Sequence, residues 1–124
     1  TLQTITIIGS ICGEENIHGA PLEYSVSKAS LKSFTKLAAK KLAKNNIRVN
    51  MVSPGNLFFE DSVWDRKKNE STKKFNDYIH SHVPLNRVGN VDDVYNTLQF
   101  LISEKSNYVT GANIVVDGGQ TDRW

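Results

Sequence analysis

Hydrophobic and polar positions follow two different spacings along the chain. Residues 2 to 9 are rich in β-branched side chains without helical spacing, which predicts a strand that is buried on both faces. Residues 22 to 44 carry apolar side chains at intervals of three and four, which predicts a long helix ended by Asn45 and Asn46. The predicted inward stripe of this helix comprises Val26, Ala29, Phe34, Leu37, Ala38 and Leu42.

The second half of the chain repeats this order of strand and helix. Residues 47 to 53 and 113 to 117 predict strands, and residues 71 to 81 and 92 to 104 predict helices, the second with Asp92 as its N-cap. The predicted inward positions of the last helix are Val94, Leu98, Leu101 and Ile102. Strands separated by helices favour parallel pairing with right-handed crossovers, so the predicted fold class is α/β.

Two connecting segments carry more side-chain chemistry than ordinary linkers. The polar part of residues 10 to 21 is interpreted first as a solvated loop and alternatively as a substrate contact. Its members are Glu14, Glu15, Asn16 and His18. Residues 56 to 69 contain Phe58, Phe59 and Trp64, which predict either a lid over a bound substrate or an aromatic anchor on the domain.

Composition narrows the function classes only slightly. The 124 residues are 39% hydrophobic and 23% charged, with a formal net charge of +2, which is typical of one globular domain. No apolar run approaches the ~20 residues of a membrane span, so we predict no membrane association. The single cysteine, Cys12, excludes an internal disulfide and favours a reducing compartment, and we predict a cytoplasmic protein.

Lysines recur at every fourth position of the predicted long helix and form a slanted basic ridge. They are Lys28, Lys32, Lys36, Lys40 and Lys44. We prefer a solvated helix face to a nucleic acid contact, because no aromatic side chain is interleaved for base stacking. His80 and His82 have no cysteine nearby, so neither a metal nor a nucleic acid is predicted as a partner.

Three residues form a candidate catalytic set. Tyr24 and Lys28 are four residues apart and would share one face of the helix, and Ser10 lies fourteen residues before Tyr24. A phenol beside an ammonium group can exchange a proton with a substrate, and a nearby serine hydroxyl can hold a carbonyl or alcohol oxygen for that transfer.

Four stretches together resemble the carboxy-terminal half of a short-chain dehydrogenase/reductase. They are residues 5–10 (ITIIGS), 24–28 (YSVSK), 47–55 (IRVNMVSPG) and 109–119 (VTGANIVVDGG). The resemblance covers nearly the whole chain. It implies a partial Rossmann-like, doubly wound parallel sheet with the last three strands of the family and their flanking helices. Residues 1 to 124 would be a single partial domain, without the N-terminal dinucleotide-binding half.

The resemblance also implies an activity and its residues. The activity would be NAD- or NADP-dependent interconversion of a secondary alcohol and a ketone, on a small-molecule substrate, in a homo-oligomer. Tyr24 would donate or accept the proton, Lys28 would favour the charged form of the tyrosine, and Ser10 would position the substrate oxygen.

Cofactor contacts are implied at Tyr24, Lys28, Pro54, Gly55 and Leu57. Lys28 would hold the nicotinamide ribose, and the backbone after the Pro-Gly turn would lie against the nicotinamide, with Leu57 at its carboxamide.

The chain departs from the family pattern at several points. The serine-to-tyrosine spacing is one residue longer than usual, and Phe59 stands where a threonine often follows the Pro-Gly turn. The Gly-rich turn that cradles a pyrophosphate does not occur in these residues, so we expect a fragment that is inactive alone. The alternative is a catalytically silent structural or regulatory partner. We also expect the first strand to be a bare apolar edge that promotes self-association.

Overall fold

The computed structural model describes residues 3 to 122. The strands are β1 (Gln3–Ile8), β2 (Ile47–Pro54) and β3 (Asn113–Val116), and the α-helices are α1 (Leu22–Leu42), α2 (Val63–Glu70), α3 (Thr72–His82) and α4 (Val91–Ile102). Short 3₁₀ turns occupy Ile11–Gly13, Ala43–Asn45 and Glu104–Ser106. The predicted elements are present with ends that differ by one or two residues. Leu2, at the predicted start of the first strand, lies outside the described residues.

The sheet has β2 in the centre, paired in parallel with β1 on one side and β3 on the other. Ile7 of β1 lies opposite Met51, and Val52 lies opposite Ile114 of β3. The predicted α/β class with a parallel sheet is therefore confirmed. Because the strands are parallel, the chain leaves all three at the same edge of the sheet, where connecting segments meet.

Helices α1 and α4 cover opposite faces of β2. The Thr35 hydroxyl of α1 lies 3.6 Å from the Met51 sulfur, whereas Val52 packs against Val94 and Leu101 of α4. Neighbouring side chains of a strand point to opposite faces, so these two contacts lie on opposite sides of the sheet. This double cover explains why β2 is buried from its second residue to its last.

The start of α4 corrects one prediction. Asn90, not Asp92, is the N-cap, because its side chain accepts a bond from the Asp93 N–H at 3.0 Å. The Asp93 carboxylate in turn accepts the Asn90 N–H at 2.8 Å, which completes a capping box. At the end of α1, Asn46 adopts a φ of 57° after the turn that follows the helix, the left-handed conformation predicted for a residue that ends it.

A second apolar cluster bears on the two interpretations of the aromatic segment. The rings of Phe58 and Trp64 lie edge-on to Phe75 of α3, with centroids 6.2 and 6.0 Å away. Ile79 and Val83 complete the buried part of this cluster. Phe58 and Trp64 therefore pack on α3, as the anchor interpretation predicts, and the lid stays a prediction.

The outward surfaces of β1 and α1 correct two further predictions. β1 is not buried on both faces: the Ile5 side chain is 44% exposed, because this strand is the edge of the sheet. The predicted stripe of α1 is also wrong, since Val26 and Leu37 are 61% and 67% exposed. The small residues Thr35 and Ala39 are the buried ones and allow the helix to lie close to the sheet. Ile102 of α4, predicted to face inward, is exposed as well.

Candidate active site

The turn that carries Ser10 packs directly on the start of α1. A side chain at Gly13 would place its Cβ 2.6 Å from the Lys28 carbonyl carbon and 2.7 Å from the Ala29 nitrogen. These are backbone atoms that cannot move aside, so only glycine permits this approach. The close contact holds the Ser10 turn beside Lys28.

Lys28 connects α1 with the end of β1. Its ammonium nitrogen donates to the Ile8 carbonyl oxygen at 3.3 Å and lies 5.5 Å from the centre of the Tyr24 ring. The Tyr24 ring is partly exposed, so its hydroxyl is accessible to a bound molecule. The structure therefore places the phenol and the ammonium group side by side at the edge where β1 ends.

Ser10 is buried and already oriented. Its hydroxyl oxygen accepts the Cys12 N–H at 3.1 Å and thereby caps the 3₁₀ turn. A hydroxyl can accept one bond and still donate its own proton. Ser10 can therefore donate to a substrate oxygen without losing the contact that fixes its rotamer.

The Pro-Gly turn after β2 lies against the end of β3. The Gly55 N–H donates to the Val116 carbonyl at 2.8 Å, and a Cβ on Gly55 would lie 2.8 Å from the Asp117 Cβ. Pro54 is the last residue of β2 and is buried. Glycine is thus required for the approach of these two strand ends.

Leu57 forms an isolated parallel bridge with Gly89. The two bonds of the bridge use the neighbouring backbone: the Phe58 N–H donates to Gly89 at 2.8 Å, and the Gly89 N–H donates to Asn56 at 2.9 Å. The N–H and C=O of Leu57 itself therefore point away from Gly89. Its side chain packs on the apolar cluster of β2 and α4, so only its backbone is presented to a ligand.

Glu14 is the residue of this region that the sequence interpretation missed. The preferred interpretation, a solvated loop, is wrong for it, because the residue is only 4% exposed. Its carboxylate accepts bonds from Lys32 at 2.8 Å, from the Ser53 hydroxyl at 3.2 Å and from the Asn113 side-chain amide. We call Glu14, Lys32, Ser53 and Asn113 the Glu14 cluster.

The Glu14 cluster keeps its carboxylate charged. Burial alone would raise the pKa of Glu14, but the hydrogen bonds from Lys32, Asn113 and Ser53, together with the Lys32 charge, outweigh burial and lower it. No local signal could have revealed this, because the partners lie 18, 39 and 99 residues away along the chain.

Residues 3 to 122 also bear on two other features, a metal centre and a membrane span. No group of three or more histidine, cysteine or acidic side chains there is arranged to hold a metal ion. None of the helices in that range combines the length and the apolar character that crossing a membrane requires.

Comparison with known proteins places this geometry in a family. The family model described as enoyl-(acyl carrier protein) reductase matches residues 3 to 121. A 7alpha-hydroxysteroid dehydrogenase of Paraclostridium sordellii is 42% identical over 97 residues, which are 77% of this chain and 34% of the relative. A 3-oxoacyl-(acyl-carrier-protein) reductase of Thermotoga maritima is 38% identical over 118 residues, covering 94% of this chain and 44% of the relative.

A solved structure agrees with these matches. The short-chain dehydrogenase of Leptospira borgpetersenii, determined with bound NAD+, superposes with a TM-score of 0.81 at 35% identity and covers 95% of this chain and 44% of that one. The chain belongs to the short-chain dehydrogenase/reductase family, as its motifs predicted. It spans less than half the length of these relatives.

Proposed function

We propose that the protein containing this chain is an NAD- or NADP-dependent oxidoreductase that interconverts a secondary alcohol and a ketone. The observation that carries the proposal is the position of the Lys28 ammonium group, between the Tyr24 ring and the Ile8 carbonyl at the end of β1. The Ser10 turn packs on the same helix at Lys28. Relatives described as hydroxysteroid dehydrogenase and oxoacyl reductase support this class of reaction.

Each of the three side chains has a separate task in the proposed reaction. Tyr24 moves the proton to or from the substrate oxygen, since it is the titratable hydroxyl accessible at this edge. Lys28 supplies a fixed positive charge close to that phenol, which stabilises the phenolate when the proton leaves. Ser10 donates its hydroxyl proton to the same substrate oxygen and orients the carbonyl.

The residues present fit the nicotinamide end of a dinucleotide. Lys28 and Tyr24 offer polar groups for ribose hydroxyls, and the backbone N–H and C=O of Leu57 match the acceptor and donor of a carboxamide. Pro54 and Gly55 form the turn on which the ring would lie. A bound nicotinamide supplies the hydride of this chemistry. NAD and NADP both remain in the proposal, and the substrate is a small carbonyl or alcohol compound.

A silent structural or regulatory role is the second candidate. The observation in its favour is that Ile5 and Ile8 of β1 are exposed along an apolar edge at which a second protein surface could bind. Assembly as a homo-oligomer belongs with the first proposal, as does a cytoplasmic location, which is motivated by the single cysteine.

The experiment that tests the function compares Tyr24→Phe with Tyr108→Phe in the full-length protein. Tyr108 is fully exposed and serves as the matched control. Loss of a general acid typically costs 10²–10⁴-fold, so we expect kcat to fall about 100-fold or more in Tyr24→Phe alone. NADH and NADPH affinity, measured by fluorescence titration, should stay within about twofold, because the phenol hydroxyl is one of several cofactor contacts. Full turnover in Tyr24→Phe would remove Tyr24 from its role. If the unmodified protein shows neither cofactor binding nor turnover, that result favours the silent role.

A further inference from the structure

Glu14 occupies the junction of every segment that bears a candidate site residue. It ends the 3₁₀ turn that Ser10 begins, and its own N–H donates to the Ile11 carbonyl at 2.9 Å. The turn is therefore fixed at both ends: at one end the Ser10 hydroxyl caps Cys12, and at the other the Glu14 side chain is held by the Glu14 cluster.

The partners of Glu14 come from three different elements. Lys32 lies on α1, one helical turn beyond Lys28. Ser53 lies at the end of β2, directly before the Pro-Gly turn, and Asn113 is the first residue of β3. The single Ser53 hydroxyl proton is shared between the Glu14 carboxylate, 3.2 Å away, and the Asn113 side-chain oxygen, 2.8 Å away, so Ser53 joins β2 to β3 at the point where both reach Glu14.

We expect the Glu14 cluster to fix the positions of its residues more than to add stability to the fold. A partly buried ion pair gains Coulomb energy but loses hydration, and its net contribution to stability is small compared with apolar packing. Three directional bonds on one carboxylate nevertheless define where that carboxylate lies. The contact therefore determines the position of the turn relative to α1 and to the end of β2.

We propose that Glu14 is a positioning residue that sets the Ser10 turn against the helix of Tyr24 and Lys28. The proposal rests on the proposed oxidoreductase function. Glu14 acts on the substrate only through Ser10: it keeps the serine hydroxyl at the distance from Tyr24 at which both can bond one substrate oxygen. Catalytic groups displaced by about 1 Å can lose a factor of 10² in rate.

The test uses Glu14→Gln, Lys32→Met and the double variant in the full-length protein, with Glu104→Gln as the control. Glutamine keeps the size of the side chain but replaces one acceptor oxygen by an NH2 donor, which then faces either Lys32 or the Asn113 amide, both of which are donors. Glu104 is exposed in the last 3₁₀ turn, far along the chain from the site. The readout is kcat per cofactor-binding site, which corrects for unfolded protein, together with KM and the NADH dissociation constant.

We expect kcat per site to fall about 10- to 100-fold in Glu14→Gln, while cofactor affinity stays within about twofold. Lys32→Met should act in the same direction, and the double variant should be at most about twofold worse than Glu14→Gln, because both substitutions break one contact. Unchanged kcat per site in Glu14→Gln would overturn the proposal. So would a loss that disappears once the folded fraction is taken into account.

A second readout separates this proposal from the proposed function. Hydrogen exchange of the Cys12 amide reports the capping bond to Ser10 directly. If the unmodified protein shows no turnover, the proposed function fails, but faster exchange at Cys12 in Glu14→Gln than in Glu104→Gln would still support the fixing of the turn. Equal exchange in all variants would overturn it.

Discussion

Two regions of the sheet differ in how completely this chain covers them. One is the edge that holds the Ser10 turn and the Glu14 cluster, which we call the polar end, and the other is the side of β1. At the polar end, the Glu14 carboxylate is bonded to α1, β2 and β3, and Gly13 brings the Ser10 turn into backbone contact with α1. On the β1 side, Ile5 and Ile8 remain exposed.

This difference distinguishes contacts that the chain makes within itself from apolar surface that it leaves exposed. The polar contacts at the strand ends are made among residues of this chain, so the geometry of the candidate site is determined locally. Exposed apolar side chains on an edge strand are a surface that another strand can cover.

The largest expected effect concerns the polar end and uses Gly13→Ala. The new Cβ would meet the backbone of Lys28 and Ala29, which cannot yield without moving α1. We expect a loss of about 3 kcal/mol in the free energy of unfolding, the upper range for overpacking, measured by urea titration. Gly9→Ala is the comparison, because its Cβ would meet side-chain atoms, the Met51 methyl group and the Ser53 hydroxyl, and no backbone atom. Equal losses at both positions would mean that the Gly13 approach is not the rigid contact described here.

The same contrast explains what could be predicted from the sequence. Elements and their order follow from local spacing, and the set of Ser10, Tyr24 and Lys28 was found because it is a short motif at a strand end and a helix start. Helix α1 is found, but its buried face is not. Large apolar residues such as Leu37 predict the buried face of a helix, but Leu37 is exposed in this chain. The small residue Ala39 is buried instead.

The Glu14 cluster marks the limit of sequence reasoning more sharply. A glutamate in a loop with glycine and asparagine is typical of a solvated surface. Its burial depends on Asn113 and Ser53, which reach it only after both strands have taken their places in the sheet. Contacts of that sequence separation leave no periodic signal, so the structure alone reveals them.

A second substitution tests whether the polar contacts beneath the site stabilise the fold. The fully buried Asn50 side chain donates to the Val109 carbonyl at 2.9 Å and accepts the Ala112 N–H at 3.0 Å. Asn50→Ala removes the partner of the Ala112 N–H and one of the two donors to the Val109 carbonyl, which the Arg48 guanidinium also contacts at 3.1 Å, and we expect a loss of about 2 kcal/mol in urea unfolding. Asn96→Ala, at an exposed position of α4, should change stability by less than about 0.5 kcal/mol. A loss as small as that of the control would show that water replaces the Asn50 contacts.

The exposed edge of β1 predicts that the 124-residue chain associates with itself. The exposed Ile5 lies on a strand whose outer edge is unpaired in the part of the chain that the structure describes. We expect self-association in light scattering at rising concentration, and Ile5→Lys should weaken it at least about tenfold, or ~1.4 kcal/mol. Val63→Lys adds the same charge at an exposed position of α2 and should leave association unchanged. A monomer at every concentration would contradict the prediction for this edge.

The smallest effect is expected at the exposed counterpart of Glu14, the pair of Arg87 and Asp93. Both guanidinium nitrogens donate to the carboxylate at 2.8 Å, and these bonds, with the Asn90 N–H, lower the pKa of Asp93 to about 2. A lowered pKa in the folded state gives stability that is present above about pH 4 and is lost as the pH falls towards 2.

Because the Arg87–Asp93 pair is largely exposed and screened by solvent, we expect Asp93→Asn to cost less than about 1 kcal/mol at neutral pH. The measurement is urea unfolding at a series of pH values, where Asp93→Asn should flatten the decline between pH 4 and 2 and Asp92→Asn should not. Added salt should reduce the difference, since exposed pairs are screened. An identical pH dependence in both variants would mean that the bidentate contact does not persist in solution. In that case the enclosed contacts of Glu14 would be the better guide to which charges hold this end of the sheet together.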